Sequence, residues 1–203
     1  MNDMKEHLID LNLIFISYIN ILVEALNFKY FYSFFLKYFQ LVCILNQMTY
    51  YINILNFKDF SLLKFLTLSD YSALHYPGGL YEFEVNYLLL SYRLNFKCFL
   101  RLFVNKDDLV LSINEIYSNS NWLEREIWDL FGILYIYHTD LRRILTDYGF
   151  VGHPLLKYFP LIGFTELRFD DCIYRIVKEV VEMTQAFRKF NFFNPWIEKK
   201  YSF

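Results

Sequence analysis

The alternation of apolar and polar side chains is sharpest in the middle of the chain. From Tyr81 to Leu89, residues Phe83, Val85, Tyr87 and Leu89 fall on one face, and Glu82, Glu84 and Asn86 on the other. From Phe96 to Val104, residues Phe96, Cys98, Leu100, Leu102 and Val104 alternate with Lys97 and Arg101. A period of two marks a strand with one buried face, so both segments are predicted strands, paired antiparallel. Pro77-Gly78-Gly79 is a turn signal that joins an earlier strand, around residues 70–76, to the first of them.

Elsewhere the pattern is blunter. Residues 8–45 are apolar nearly all round and read as buried helix, broken near Asn27 to Lys29. Met48 to Leu55 is rich in β-formers and reads as a strand. Phe57, Phe60, Leu63 and Leu66 recur at helical spacing, with Lys58 and Lys64 outside, which predicts an amphipathic helix over residues 57–67. Ser112 to Glu115 has the form of a capping box for a short helix. Asn121 to Glu124 is a variant of the same box. It opens the helical stretch NWLEREIWDLFG, with Gly132 placed as its C-terminal cap.

After Tyr148 the character shifts. Gly149, Gly152, Pro154, Pro160, Gly163 and Pro195 are six of the ten Gly and Pro residues, which leaves little room for regular structure over residues 138–170. The many aromatics there need either a functional loop or a partner surface to cover them. Further on, Ile173, Ile176, Val177, Val180, Val181 and Phe187 have a helical period. The chain therefore divides into a helical extension over residues 1–45, an α+β core over 46–132 and an extended segment over 133–203.

Composition changes the picture in two ways. Phe and Tyr number 23 and 18, against six Gly and four Pro. With Ile, Asn and Lys also abundant and Ala and Arg scarce, this is the skew of an AT-rich genome, so the aromatics are codon drift before they are a binding site. The first Arg is Arg93, and Asp3, Glu6 and Asp10 come early. These are not the marks of a mitochondrial presequence or a signal peptide. A mitochondrial protein of this kind is expected to be made inside the organelle. The net charge of −2 gives no general pull toward nucleic acid or anionic lipid. Residues 38–57 form an uncharged run of spanning length, but six polar side chains inside it argue against a lipid-exposed helix.

The chemistry on offer is thin. Cys43, Cys98 and Cys172 form no C-x-x-C pair, so they read as single buried thiols rather than a disulfide or cluster framework. His138 and Asp140 have no third metal ligand at a usual spacing, and His7, His75 and His153 read as structural. There is no G-x-G-x-x-G and no phosphate-binding loop. Glu124, Glu126 and Asp129 share a short helix with Arg125 and Trp128. They form either an acid–base site or a polar face anchored by salt bridges, and no nucleophile with a neighbouring base favours the former. Arg142 and Arg143, with Asp140 and Asp147, make a dense charged knot suited to carboxylate partners inside this chain or on another.

One string is distinctive. Glu124-Arg125-Glu126-Ile127-Trp128-Asp129-Leu130-Phe131-Gly132 is followed by His138, then Asp140-Leu141-Arg142-Arg143-Ile144-Leu145-Thr146-Asp147-Tyr148-Gly149-Phe150 and Gly152-His153-Pro154. Phe159-Pro160-Leu161, Gly163, Glu166-Leu167-Arg168-Phe169-Asp170-Asp171, Gln185-Ala186-Phe187-Arg188-Lys189-Phe190 and Pro195-Trp196 complete it. This resembles the 30-kDa subunit family of respiratory complex I from about residue 70 to 196. There are departures: Thr139, Val151, Leu156, Tyr158, His75 and Val180 stand where the family usually has Pro, an acidic residue, Arg, Asp, Asp and Pro. The resemblance implies an α+β fold with a mixed sheet and a long, partner-wrapping C-terminal segment that is extended rather than helical over residues 172–190. It implies a non-catalytic place in the matrix arm, against the 49-kDa subunit and near iron–sulfur subunits. FMN, iron–sulfur clusters and ubiquinone are then carried by other subunits, and membrane attachment comes only through the complex. The alternatives are a homologous subunit of a membrane-bound hydrogenase, a free-standing acid–base enzyme and an integral membrane protein.

Overall fold

The computed structural model describes residues 31–37, 40–61, 63–93, 95–188 and 190. Strands β1 (Phe31–Lys37) and β2 (Gln40–Leu45) lead into helix α1 (Tyr50–Asp59). Strands β3 (Thr67–His75), β4 (Phe83–Ser91) and β5 (Phe96–Val104) follow. A short β6 (Val110–Leu111) precedes helix α2 (Ser120–Phe131), and β7 (Tyr135–Ile136) pairs with β6. The main sheet has the order β1-β2-β5-β4-β3, antiparallel except where β2 runs parallel to β5.

The period-two segments form the expected strands in the expected pairing. Val85, Tyr87, Leu89, Cys98, Leu100, Leu102 and Val104 are fully buried on one face. Residues 76–82 make the predicted turn, closed by Tyr76 N–H donating to the Glu82 carbonyl at 2.8 Å.

Four expectations of local structure fail. Residues 31–37 and 40–45 are strands rather than helix; residues 1–30 lie outside the described set. Leu41, Val42 and Cys43 are consecutive and all buried, so the strand is covered on both faces and shows no alternation. Residues 48–55, read as a strand, belong to α1, and the helix expected over 57–67 has ended by Phe60. Tyr50, Asn53, Ile54 and Phe57 are the buried positions of α1, which is the i, i+3, i+4, i+7 face of a helix beneath strand-like composition. The capping box at Ser112 opens only turns. Its hydroxyl accepts from Asn114 N–H at 3.2 Å and donates to the Glu124 carboxylate instead.

Residues 40–45 and 50–57 of the uncharged run fall in β2 and α1, and no helix among the described residues is long and apolar enough to cross a membrane. Two thiols are buried, but Cys172 is exposed.

The chain separates into two compact units at Phe159/Pro160. The second contains an antiparallel hairpin, β8 (Thr165–Asp170) with β9 (Arg175–Val180). Residues 175–180 are thus extended and not helical. Arg168 lies across the hairpin at 2.6 Å from Glu179 and 3.9 Å from Asp170; Asp171 is exposed. Pro160 accepts from Gly163 N–H at 3.0 Å in a turn before the hairpin.

Candidate functional site

Helix α2 carries most of the distinctive string, and its geometry assigns the three carboxylates to different tasks. It begins at Ser120, one residue before the predicted box. Gly132 ends it as predicted, at φ +82, with its N–H donating to the Trp128 carbonyl at 2.9 Å. Its left-handed backbone and its neighbour both require glycine, since a Cβ would lie 2.7 Å from Cδ2 of His153.

Asp129 is fully buried near the C-terminal end of α2. Its Oδ2 accepts backbone N–H bonds from Leu145 at 2.9 Å, Thr146 at 3.0 Å and Ile144 at 3.3 Å. Its Oδ1 accepts from Arg143 Nη1 and from the Thr146 hydroxyl, both at 2.8 Å. Burial pushes this carboxyl up, but the bonds from Thr146, Leu145 and Arg143 outweigh it and hold the pKa down at about 2. The Arg143 guanidinium also sits 5.4 Å from the Trp128 ring centre and 5.8 Å from that of Phe150. One carboxylate thus organises the whole turn over residues 143–146.

The same loop is tied at further points. His153 Nδ1 is 2.9 Å from the Asp129 carbonyl, and Leu155 N–H donates to the Leu130 carbonyl at 3.0 Å. Arg125 Nε donates to the Arg142 carbonyl at 3.1 Å, while its guanidinium lies 5.4 Å from the Trp122 ring centre. Gly152, at φ +108, lets Phe159 approach to 2.8 Å of where a Cβ would stand, and Phe159 packs against Phe150. Asp147 closes a turn, accepting from Phe150 N–H at its carbonyl and from Tyr148 N–H at its carboxylate. Arg142 pairs at 2.9 Å with Asp140 in solvent. Tyr148 is fully exposed, and Gly149 at φ +71 has open space around it. Pro154 is half-buried.

Glu124 sits one turn into α2, also fully buried. It accepts from the Ser112 hydroxyl at 2.5 Å and from Ile113 N–H at 2.8 Å, and lies 3.7 Å from His138 Nε2. His138 Nδ1 accepts from Asp140 N–H, so Nε2 carries the proton directed at the Asn121 carbonyl. Tyr71, Tyr87 and Tyr135 gather nearby, the Tyr71 hydroxyl standing 2.8 Å from Tyr135 and 3.2 Å from Tyr87. Burial outweighs the hydrogen bonds that favour the charged form, and the Glu124 carboxyl is pushed up to about 7.

Glu126 forms no ion pair among the described residues. It lines a depression together with Asp70, Leu123, Ile127, Leu130 and Phe131. The three carboxylates therefore do not converge. No group of three or more His, Cys, Asp or Glu residues able to hold a metal occurs among the described residues. One cluster escaped the sequence reading. His75, Glu82 and Tyr158 meet, with His75 Nε2 3.1 Å from both Glu82 Oε1 and the Tyr158 hydroxyl, and the tyrosine hydroxyl donating to Glu82. His75 and Tyr158 are two of the departures from the family pattern, and the pairing of those departures was its only signal.

Residues 41–165 match the family described as respiratory-chain NADH dehydrogenase, 30 Kd subunit. NADH-ubiquinone oxidoreductase subunit 9 of Reclinomonas americana is 48% identical over 139 residues, 68% of each chain. A subunit of the NADH-quinone oxidoreductase of Ruegeria pomeroyi is 46% identical over 148 residues, 71% of this chain and 74% of the relative. NADH dehydrogenase (ubiquinone) iron-sulfur protein 3 of Beta trigyna is 44% identical over 161 residues, covering 79% and 78%. Among solved structures, a chain of the membrane-bound sulfane sulfur reductase, an archaeal respiratory membrane complex, shares the fold. Its TM-score is 0.53 at 19% identity, over 61% of this chain and 73% of that one. The residues that organise α2 and its loop lie inside the matched span, and the chain belongs to the 30-kDa subunit family of respiratory-chain NADH dehydrogenases.

Proposed function

We propose that this chain is a structural subunit of the matrix arm of complex I that itself binds no cluster, flavin or NADH. It supports electron transfer from NADH to ubiquinone, coupled to proton translocation, by shaping the surface on which its neighbours assemble. Those neighbours are the 49-kDa subunit and adjoining iron–sulfur subunits, on the matrix face of the mitochondrial inner membrane. FMN, the clusters and ubiquinone belong to other chains.

One observation carries this reading. The motif residues with the most perturbed chemistry, Asp129 and Glu124, are fully enclosed and spend their hydrogen bonds on backbone N–H groups and neighbouring side chains of the same chain. Catalytic carboxylates need a path to substrate, whereas these two hold a loop and a turn in place. The Asp129→Ala variant is the test. The reading expects less assembled complex, with turnover per assembled complex unchanged. Normal assembly with a large loss of turnover overturns it in favour of a chemical role.

A further inference from the structure

The edge of the main sheet beside α2 is open in a specific way. Just beyond β3, Tyr76 N–H donates to the Glu82 carbonyl, and within β3 the register continues Leu74 opposite Glu84, Ser72 opposite Asn86 and Asp70 opposite Leu88. Alternate residues Tyr71, Ala73 and His75 therefore turn their N–H and C=O groups away from β4, toward the free edge. Tyr71 N–H is taken by the Asp70 carboxylate at 2.8 Å. The Ala73 and His75 backbone groups on that edge have no partner among the described residues, although both residues are more than nine-tenths buried. Buried backbone donors and acceptors are rarely left unpaired.

Two depressions run along this edge. One, of about 530 Å³, is lined by Ala73, His75, Phe131, Leu155 and Lys157 among others. The other, of about 230 Å³, is lined by Asp70, Ala73, Glu126, Ile127 and Leu130 among others. They share Ala73, Phe131 and Leu155, so they form one groove with a strand edge on one side and the apolar face of α2 on the other. The groove is acidic at the end marked by Asp70 and Glu126 and basic at the end marked by Lys157. Of the three carboxylates on α2, Glu126 is the one with no ion pair among the described residues.

We infer that this groove receives an extended segment of a neighbouring subunit, which adds to the sheet as a strand beside β3. Its backbone pairs with Ala73 and His75. Alternate apolar side chains pack under Ile127, Leu130 and Phe131, and a Lys or Arg meets Glu126 and Asp70. Strand addition suits this edge because it supplies donors and acceptors in a row, which a helix or a small ligand does not. The inference rests on the reading of the chain as a subunit of a complex.

A photo-crosslinking residue, p-benzoylphenylalanine, placed at Leu155 in the native complex tests it. The expected result is an adduct with one other polypeptide. Ala73→Pro removes an N–H that the β4 ladder does not use, and prolines are tolerated on such edges. Glu126→Lys reverses the rim charge. Each is expected to lower the adduct about tenfold or more, and the second does so without touching the strand. An adduct only within this chain or to a second copy of it overturns the inference, as does no adduct in an intact complex or an adduct indifferent to both variants. Those outcomes leave the subunit reading standing. Isolation of the chain from its native source with no other polypeptide bound to it overturns both.

Discussion

Asp129 and Glu124 lie five residues apart on one helix, both fully buried and both hydrogen-bonded, yet their acidities move in opposite directions. Asp129 faces a row of backbone N–H groups, a hydroxyl and a guanidinium, so its charged form is solvated by the protein better than by water. Glu124 accepts bonds from one hydroxyl and one N–H at short range, with no guanidinium beside it among the described residues and the His138 ring and tyrosines beyond, so its charged form has lost more water than it regains. Loss of solvent contact alone therefore says little about a carboxyl: Glu124 is packed deeper among protein atoms than Asp129, and it also meets fewer donors. The depth of burial, the number of donors and the presence of a cation together decide whether it stabilises the fold as an anion or resists becoming one.

The contrast is put under most strain at Asp129. Replacing it with Ala leaves Arg143 and the N–H groups of residues 144–146 without their acceptor, and should cost about 3–5 kcal/mol. The denaturant midpoint of the purified chain measures this, and a loss below about 1 kcal/mol would mean the loop is held elsewhere.

The pH dependence separates the two sites by sign. The Glu124 pKa is raised in the fold, from 4.5 to about 7. Its contribution is therefore complete below its unfolded value and is lost as pH rises from about 4.5 to about 7, by up to about 3 kcal/mol. Glu124→Gln should flatten that limb. The Asp129 pKa is lowered, from 3.8 to about 2. Its contribution is present above about 4 and is lost as pH falls through about 2. Unfolding free energies measured across pH 2–8 on both variants check the assignment, and a neutral limb that survives Glu124→Gln would refute it.

Gly132→Ala probes the loop side. The positive φ and the approach of His153 together should cost about 1–3 kcal/mol. Calorimetric melting of the variant reads it directly. The smallest effect belongs to Arg142. Its pair with Asp140 stands in solvent, so Arg142→Ala should change stability by less than about 0.5 kcal/mol. The adjacent Arg143→Ala should exceed it several-fold in the same assay.

Local sequence was enough for the parts of the fold that water shapes. In β4 and β5 one face is buried and the other is not, so the period of two survives and the antiparallel pair is legible. Turn chemistry at Pro77-Gly78-Gly79 and the left-handed cap at Gly132 are legible for the same local reason. The string from Glu124 to Pro154 was legible as a family pattern, because so many of its side chains answer to one another. Long-range packing was needed to place Leu41, Val42 and Cys43 in a strand, because a strand enclosed on both faces has no polar face to mark its period. Packing also made a helix of Tyr50–Asp59, where the buried face at Tyr50, Asn53, Ile54 and Phe57 overrode strand-like composition. It alone could divide three carboxylates within six residues into an anion holding a loop, a buried acid and a free group on a groove. Their roles depend on donors supplied by residues 112–113 and 143–146, and those contacts exist only once the chain has folded back on itself.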